Sequence, residues 1–312
     1  MSNNKHVAIL LSTYNGQSYI KEQLDSLFSQ TYQNFTIYIR DDASTDNTVA
    51  LITEYRSQLS PSLQTKLTIL DNSSMENWGY MKSFWYLLSV CPDTDYYAFC
   101  DQDDVWLPNK LERAVDSLNN QDSSIPLLYS SRFDYYSGDL QFQEHGLLYP
   151  YSISFEKVAF YTPAFGFTIM INRTLRDVAL SCKSLIGIPH DGWCQKIATS
   201  MGRFIYDPEI TAKYRRHSSS VTIAGFSKLT LVRKWLQNDI FGKGLSENYW
   251  LLKRFHEEYA NLLDSSILRF INLFQEQPFK LSIWLKRLFY PKRLRPSLGG
   301  ELALRICFIF YK

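Results

Sequence analysis

The first hundred residues alternate between two hydrophobic periods, one typical of buried strands and the other of helices. Val7–Ser12 predicts a buried strand, and apolar residues at helical spacing follow it at Ile20, Leu24, Leu27 and Phe28. Further strands are predicted at Phe35–Ile39, Leu67–Leu70 and Tyr96–Cys100, and further helices at Thr48–Leu59 and Lys82–Val90. Strands that alternate with helices through short connections predict an α/β fold with a doubly wound, mostly parallel sheet.

The pattern becomes less regular after a helix predicted at Lys110–Leu118. We expect strands at Leu127–Phe133, Phe165–Ile171, Arg203–Tyr206 and Thr211–Tyr214, and a helix at His190–Met201. From about Phe226 onward the pattern is helical, without repeats or low-complexity tracts. A chain of 312 residues is long enough for one large α/β domain with an appendage, which predicts a domain at 1–225 and a helical extension at 226–312.

Three polar clusters stand where predicted strands end. They are Thr13-Tyr14-Asn15-Gly16, Asp41-Asp42 and Asp101-Gln102-Asp103-Asp104. In a parallel sheet the carboxyl ends of the strands lie along one edge, and ligands bind there. We therefore expect these clusters, distant in sequence, to form one site.

The acidic cluster from Asp101 to Asp104 places three carboxylates within four residues. Like charges this close repel, and burying them without a partner is costly. A divalent cation relieves the repulsion, and carboxylate oxygens suit Mg²⁺ or Mn²⁺. The alternative is a solvated acidic loop that caps the helix starting near Pro108.

The other clusters also have structural explanations. Asp41 and Asp42 open a run that could be only a turn with a helix cap, and Asn15-Gly16 suits any strand-to-helix turn. Asp191 precedes a helix, so its carboxylate is either an N-cap or a general base. His217 is a metal ligand, a phosphate contact or a solvated surface histidine.

Charge is unevenly distributed along the chain. Residues 226–312 hold 15 basic and 7 acidic residues, whereas residues 1–225 hold 18 basic and 24 acidic residues. The C-terminal part also carries many aromatic residues, such as Trp235, Trp250, Phe270 and Trp284. Such basic, aromatic helices either lie on an anionic membrane surface, pack on the first domain, or form a homodimer. Nucleic-acid binding is ranked low because no binding motif is present.

The five cysteines are scattered and odd in number, which favours reduced thiols in a cytoplasmic protein. The apolar stretch after the N-terminus is short and lacks a cleavage site, so no signal peptide is expected. The sequence contains no run of about 18 apolar residues, so no membrane-spanning helix is predicted. The expected location is the cytoplasm, with peripheral attachment at the inner face of the plasma membrane through 226–312.

Six motifs in order carry a resemblance over roughly Val7 to Val221. They are Ser12-Thr13-Tyr14-Asn15-Gly16, Asp41-Asp42-Ala43-Ser44-Thr45-Asp46, Asn77-Trp78-Gly79, Asp101-Gln102-Asp103-Asp104, His190-Asp191-Gly192-Trp193 and Tyr214-Arg215-Arg216-His217. Together they resemble the family-2 glycosyltransferases with the GT-A fold, a Rossmann-like sheet. The stretch from Phe99 to Leu111 looks most like the branch of rhamnosyltransferases that builds bacterial polysaccharides from dTDP-rhamnose.

The resemblance implies a nucleotide-sugar half at about 1–110 and an acceptor half at about 111–225. It implies a role for each matching residue, with Asp191 as the catalytic base. The implied nucleotide-sugar contacts are Thr13, Tyr14, Asn15, Asp41, Asp42, Asn77, Gly79, Lys82, Asp101 and Gln102. The implied metal contacts, to Mn²⁺ or Mg²⁺, are Asp103, Asp101 and His217. Asp104 is expected to orient the loop or to cap the next helix.

The resemblance further implies inverting transfer to a saccharide or lipid-linked glycan, with a UDP-sugar as the alternative donor. Two positions depart from the family pattern. Ala43 stands where glycine is usual, so we expect its backbone not to be left-handed, and Gln17 stands where an acidic residue is common. A nucleotidyltransferase lacks support because its glycine-rich loop is absent, and a glycoside hydrolase would have no use for the nucleotide-type loops. An inactive nucleotide-sugar-binding subunit is the rival from another class.

Overall fold

A computed structural model describes residues 4–70, 76–149, 152–217 and 244–310. The chain forms two compact units. Unit 1 comprises Met1–Pro150, Ala164–Ala198 and Gly202–Ser220, and unit 2 comprises Tyr151–Pro163, Thr199–Met201 and Val221–Lys312. The predicted boundary at 225/226 lies outside the described residues, and so does Trp235.

Over its described residues, unit 1 is built on a single sheet of nine strands with helices. The strands are β1 (Val7–Thr13), β2 (Phe35–Asp41), β3 (Leu67–Ile69), β4 (Tyr96–Cys100), β5 (Val105–Trp106), β6 (Leu127–Ser137), β7 (Phe142–His145), β8 (Ile169–Asn172) and β9 (Arg203–Arg216). The helices are α1 (Ile20–Phe28), α2 (Thr48–Gln58), α3 (Pro61–Gln64), α4 (Gly79–Val90), α5 (Lys110–Asn119) and α7 (Arg173–Leu180), together with α8 (His190–Met201) as far as Ala198. Helix α6 (Phe155–Val158) belongs to unit 2.

The strand order is β3-β2-β1-β4-β8-β6-β9-β5, with β7 paired to β6. Strands β1 to β4 are parallel to one another, which confirms the doubly wound half that the sequence predicts. Strand β8 runs antiparallel between β4 and β6, and β9 runs parallel to β6. The carboxyl ends of β1, β2 and β4 therefore lie side by side, as expected.

Burial explains why the first strands form. Val7 to Leu11 of β1 are fully buried on both faces, as a central parallel strand requires. Helix α1 covers the sheet with Ile20, Leu24 and Leu27, which follow the helical period. This core fixes the strands whose ends carry the polar clusters.

The later strands differ most from expectation. The two short strands predicted after Met201 are one strand, β9, which reaches Arg216 and crosses two register shifts opposite β6. The shifts lie near Pro208, which cannot donate a ladder hydrogen bond and so masks the continuity of the strand. Strands β5 and β7 were not predicted because two to four residues carry too little periodicity.

Among the described residues of unit 2, four longer helices lie in the C-terminal part of the chain. They are α9 (Gly244–Tyr259), α10 (Ser265–Phe274), α11 (Leu281–Leu288) and α12 (Leu298–Phe310). Their core is aromatic, and Phe160 contacts Phe270, Phe274 and Phe308 at centroid distances of 6.4, 5.2 and 5.7 Å. Several aromatic residues of the C-terminal part are thus buried in an interior, among them Phe255, Phe270, Phe274 and Phe308. Among the described residues, no helix is both long and apolar enough to cross a membrane.

Candidate active site

The loops that follow β1 and β2 are joined through their side chains. The Asn15 amide oxygen accepts a hydrogen bond from the Thr45 N–H at 2.8 Å, and the Asn15 N–H donates to Ser44 Oγ at 2.8 Å. The Gly16 N–H donates to Thr48 Oγ1 at 2.7 Å. Asn15 has a φ of +48°, a conformation that asparagine tolerates better than most residues. The two predicted nucleotide loops therefore form one structure.

Gln102 connects the acidic loop after β4 to the first loop. Its side chain accepts from the Tyr14 N–H and donates to the Tyr14 carbonyl, both at 2.8 Å. A Cβ at Gly16 would lie 2.2 Å from Gln102 Oε1, so a side chain there would displace this pairing. Gln102 thus orders the edge of the site, and Tyr14 remains 46% exposed.

Asp41 and Asp42 are buried and occupied by hydrogen bonds from the protein. Asp41 accepts from Thr13 Oγ1 at 2.8 Å, from the Ser44 N–H at 2.8 Å and from Ser44 Oγ at 2.6 Å. Asp42 accepts from the Trp78 and Gly79 N–H groups at 2.7 Å each, and from Arg40 at 2.6 Å. These carboxylates hold the second and third loops in place.

The third loop is arranged around Trp78. Gly79 has a φ of +75° and donates its N–H to Asn77 Oδ1 at 3.1 Å as well as to Asp42. Lys82 Nζ lies 3.9 Å from the centroid of the Trp78 ring, and the Arg40 guanidinium lies 4.0 Å from the same centroid. Cations at these distances are attracted by the face of the indole. The interaction with the Trp78 ring thus holds the Lys82 ammonium group at the rim of the site.

The expectation for Ala43 was wrong. Its φ is +63°, in the left-handed region that glycine usually occupies. Hydrogen bonds on both sides impose this conformation, because the Asp42 N–H donates to the Thr13 carbonyl and the Ser44 N–H donates to Asp41. The surrounding loop therefore overrides the local preference of alanine, at a cost of about 1–2 kcal/mol.

Ala43→Gly should raise the free energy of unfolding, by up to about 1 kcal/mol, because relief of the left-handed strain exceeds the added freedom of the unfolded chain. Ala50 is the matched control, since it is exposed in α2. Ala50→Gly should lower stability by about 1 kcal/mol. Urea denaturation measures both, and equal destabilisation by the two variants would contradict the strain at Ala43.

Three carboxylates from two distant parts of the chain act on one another at the end of β4. Burial and the charges of Asp103 and Asp191 raise the pKa of Asp101 to about 7. Asp191 and Asp101 also raise the pKa of the Tyr80 hydroxyl, after the larger effect of burial. The structure thus brings Asp191, predicted as the base, to the acidic loop nearly ninety residues earlier in the chain.

Asp103 and His217 form a direct contact. His217 Nε2 lies 2.7 Å from Asp103 Oδ2, and the His217 ring lies against Tyr19 with a centroid distance of 4.7 Å. Within the described residues, no group of three or more His, Cys, Asp or Glu side chains is arranged to hold a metal ion by itself. Of the three predicted metal contacts, Asp103 and His217 touch directly, and the charge of Asp103 acts on Asp101.

Asp104 and Arg215 lock the acidic loop against the end of β9. Asp104 is fully buried and accepts from the Arg215 N–H at 3.1 Å, while burial raises the pKa of Asp104 well above its usual range. Arg215 Nε donates to the Asp103 carbonyl at 2.8 Å, and its guanidinium also pairs with Glu22. Asp104 orients the loop and does not cap α5, whose N-cap is Asn109.

The start of helix α8 presents Asp191. Asp191 Oδ1 accepts from the Gly192 N–H at 2.7 Å. The preceding His190 is buried against Phe84 and Phe99, with ring centroids 4.3 and 4.6 Å apart, and burial lowers its pKa to about 4. A Cβ at Gly166 would lie 2.7 Å from His190 Nε2. His190 is therefore a neutral anchor that fixes the helix end.

Sequence reasoning missed Tyr80 and Arg215 as contributors to this site. Tyr80 is 48% exposed beside Asp101 and Asp191, and its position directly after the Asn77-Trp78-Gly79 motif is the signal that could have found it. Arg215 belongs to one of the six motifs, but no role was predicted for it. Its contacts to Glu22 and Gly138 join residues far apart in the chain, so no local sequence pattern predicts them.

This site combines loops that follow three parallel strands, a cluster of carboxylates, and a helix that carries another carboxylate. Such a combination is typical of one enzyme family. The profile described as glycosyl transferase family 2 matches residues 8–181, more than half of the chain. The chain belongs to glycosyl transferase family 2. The predicted family is confirmed, and this glycosyltransferase is an enzyme that uses nucleotide sugars.

Among its relatives, the glycosyltransferase is 29% identical over 259 residues to a dTDP-rhamnosyl transferase of Shigella flexneri. That match covers 74% of this chain and 82% of the relative, so the resemblance to bacterial rhamnosyltransferases is also confirmed. An uncharacterised glycosyltransferase of Haemophilus influenzae is 31% identical over 122 residues, covering 39% of this chain and 35% of the relative.

Solved structures confirm the GT-A fold of the glycosyltransferase. TarS residues 1–349 of S. aureus, in complex with UDP-GlcNAc, superimpose with a TM-score of 0.58 at 16% identity, covering 98% of this chain and 80% of that one. A mannosyltransferase of Pyrobaculum calidifontis, in complex with GDP-Man and Mn²⁺, gives a TM-score of 0.52 at 16% identity, covering 99% and 81%. Helices follow in the C-terminal region here, as predicted.

Proposed function

We propose that this glycosyltransferase moves rhamnose from dTDP-rhamnose, with inversion, to a saccharide acceptor in the synthesis of a bacterial cell-surface polysaccharide. The observation that carries the proposal is the gathering of Asp101, Asp103 and Asp191 at the end of β4. The similarity to the Shigella rhamnosyl transferase over most of both chains supports the choice of donor. A lipid-linked glycan is the acceptor expected for such a pathway, at the cytoplasmic side of the membrane.

The donor diphosphate and ribose are proposed to lie over the first loop and the acidic loop. Tyr14 and Asn15 stand at the rim, and Lys82 supplies a positive charge held on the Trp78 ring. Asp41 and Asp42 would act on the nucleobase of the donor chiefly through the loops that they hold. Their own oxygens already accept several hydrogen bonds from the protein. Thr13, Asn77, Gly79 and Gln102 complete the proposed donor contacts.

A divalent cation fits the residues that stand at this site. Burial and the charges of Asp103 and Asp191 raise the pKa of Asp101, so a positive charge is favoured there. Asp103 and His217 would hold Mn²⁺ or Mg²⁺ with Asp101 alongside, and the remaining positions suit diphosphate oxygens. When bound, such an ion stabilises the negative charge of the leaving nucleoside diphosphate. Mn²⁺ accompanies the donor in the Pyrobaculum enzyme.

Asp191 is proposed to remove the proton from the acceptor hydroxyl as that oxygen attacks the anomeric carbon. Its carboxylate stands in the first turn of α8 and is oriented by the hydrogen bond that it accepts from the Gly192 N–H. Neutral His190 and its aromatic neighbours hold the helix end, and thus the carboxylate, in position. Because one displacement inverts the anomeric centre, the proposed mechanism needs no nucleophilic side chain.

A UDP-sugar is the alternative donor, supported by the fold shared with TarS in complex with UDP-GlcNAc. Galactose, glucose and GlcNAc are the candidate sugars for that alternative. An inactive binding subunit remains the alternative from another class. Its expected signature is donor binding without turnover.

Incubation with dTDP-rhamnose, UDP-galactose, UDP-glucose or UDP-GlcNAc tests the proposed donor. We expect dTDP-rhamnose to give the largest thermal shift and the fastest release of nucleoside diphosphate. A larger response to a UDP-sugar would replace the rhamnose assignment and leave the transferase intact. Binding of any of these donors without release of nucleoside diphosphate, with or without oligosaccharide acceptors, would favour the inactive subunit.

A further inference from the structure

The last helices of unit 2 expose large apolar side chains in a regular pattern. Leu281, Leu285 and Phe289 are 61%, 41% and 73% exposed, and their spacing of four residues places them on one face of α11 and its end. Leu298 and Leu302 repeat this spacing on α12, with exposures of 77% and 64%. Scattered exposed leucines are ordinary, whereas a repeated apolar face marks an interaction site.

The same segment is strongly basic. Residues 279–310 contain seven basic side chains and one acidic side chain, Glu301. Glu301 accepts from Arg305 at 2.8 Å and from the Leu294 N–H at 2.7 Å, so its charge is engaged within the unit. Lys280 and Lys286 are exposed beside the apolar positions of α11. The surface therefore combines apolar side chains with positive charge.

A packed interior supports this surface. Phe270, Phe274 and Phe308 are buried against one another, and Trp284 Nε1 donates to the Phe308 carbonyl at 2.7 Å. The Arg305 guanidinium donates to the carbonyls of Arg287 and Leu288 at 3.0 Å each, which ties α12 to α11. Exposed residues on these helices are thus not needed to build the core, and polar replacements there should fold.

We propose that Leu281, Leu285, Phe289, Leu298 and Leu302, with Lys280 and Lys286, form a basic apolar face that binds the surface of an anionic phospholipid bilayer. Leucine and phenylalanine would enter the boundary between headgroups and acyl chains, and the lysines would contact anionic headgroups. A second copy of the chain fits less well, because symmetric pairing would bring like charges together. The proposal concerns attachment and does not depend on the donor sugar.

Co-sedimentation of the full chain with vesicles tests the basic apolar face. We expect strong binding to phosphatidylcholine vesicles containing 30% phosphatidylglycerol and weak binding to pure phosphatidylcholine vesicles, at about 0.1 M salt. Lys280→Gln with Lys286→Gln should weaken binding about 25-fold, since each basic residue near an anionic surface contributes about fivefold. Leu285→Ser with Phe289→Ser should weaken it at least about tenfold.

Lys183→Gln with Ile186→Ser is the matched control, because Lys183 is exposed and Ile186 is 87% exposed in unit 1. This double variant should bind vesicles like the unchanged protein, and circular dichroism should confirm folding of every variant. Equal binding to neutral and anionic vesicles, or no loss in the Leu285 and Phe289 variant, would overturn the proposal. The proposal would also fail if light scattering showed a dimer of the unchanged protein and a monomer of the Leu285 and Phe289 variant. A second copy of the chain would then cover the face.

Discussion

Asp191→Asn should lower the rate of sugar transfer by about 10²–10⁴-fold, the range typical of a lost general base. Asparagine keeps the size of the side chain and still accepts from the Gly192 N–H, so α8 should begin as before. Donor binding should change little, because Asp191 is proposed to act on the acceptor hydroxyl. Single-turnover transfer and calorimetric titration with the nucleoside diphosphate measure the two effects separately.

Asp116→Asn is the control for loss of one carboxylate, since Asp116 is exposed on α5. Its transfer rate should match that of the unchanged enzyme. If Asp191→Asn also kept that rate, the proton would have to leave through another group. If it lost donor affinity as well as transfer, Asp191 would act on the donor and the assignment as base would fail.

Removal of divalent cations with EDTA should abolish transfer, and Mn²⁺ or Mg²⁺ should restore it. The physical reason is the negative potential that Asp101, Asp103 and Asp191 create together, in which a nucleoside diphosphate would bind poorly unaided. Transfer assays in chelator and after addition of each cation measure the effect. Calorimetric titration of the protein with Mn²⁺ in the presence of the nucleoside diphosphate measures cation binding directly.

Asp103→Asn should bind Mn²⁺ more weakly and need a higher concentration for recovery, because Asp103 and His217 are the proposed ligand pair. Asp116→Asn again serves as the matched control and should recover like the unchanged enzyme. Full transfer in the presence of chelator would remove the cation from the mechanism. Equal Mn²⁺ binding by the Asp103 variant would move the ligand role to other residues.

Local signals were sufficient for the parallel half of the sheet. The strand β4 and the helix α8 have the predicted bounds, and β1 and β2 extend one or two residues further than predicted. These elements are long or strongly periodic, and their packing agrees with their local preference. The later strands β5, β7 and β9 depended on partners far along the chain, which periodicity does not report.

The loops show where local preference was overridden. Alanine at position 43 disfavours a left-handed backbone, yet Thr13, Asp41 and Ser44 supply hydrogen bonds that impose one. Asp42 illustrates the same point for a charged residue. Its carboxylate is an anchor for the Trp78-Gly79 turn, more than thirty residues later.

The sequence by itself determined the family, the α/β GT-A fold and the identity of the polar clusters, because ordered motifs and hydrophobic periods are local properties of the chain. Only the tertiary structure decided which of those residues meet. It joined Asp103 to His217, placed Asp191 beside Asp101, engaged Asp42 and Asp104 in holding loops, and added Tyr80. Contacts between distant residues, and the burial that shifts their pKa values, exist only once the strands are aligned and their ends share one edge.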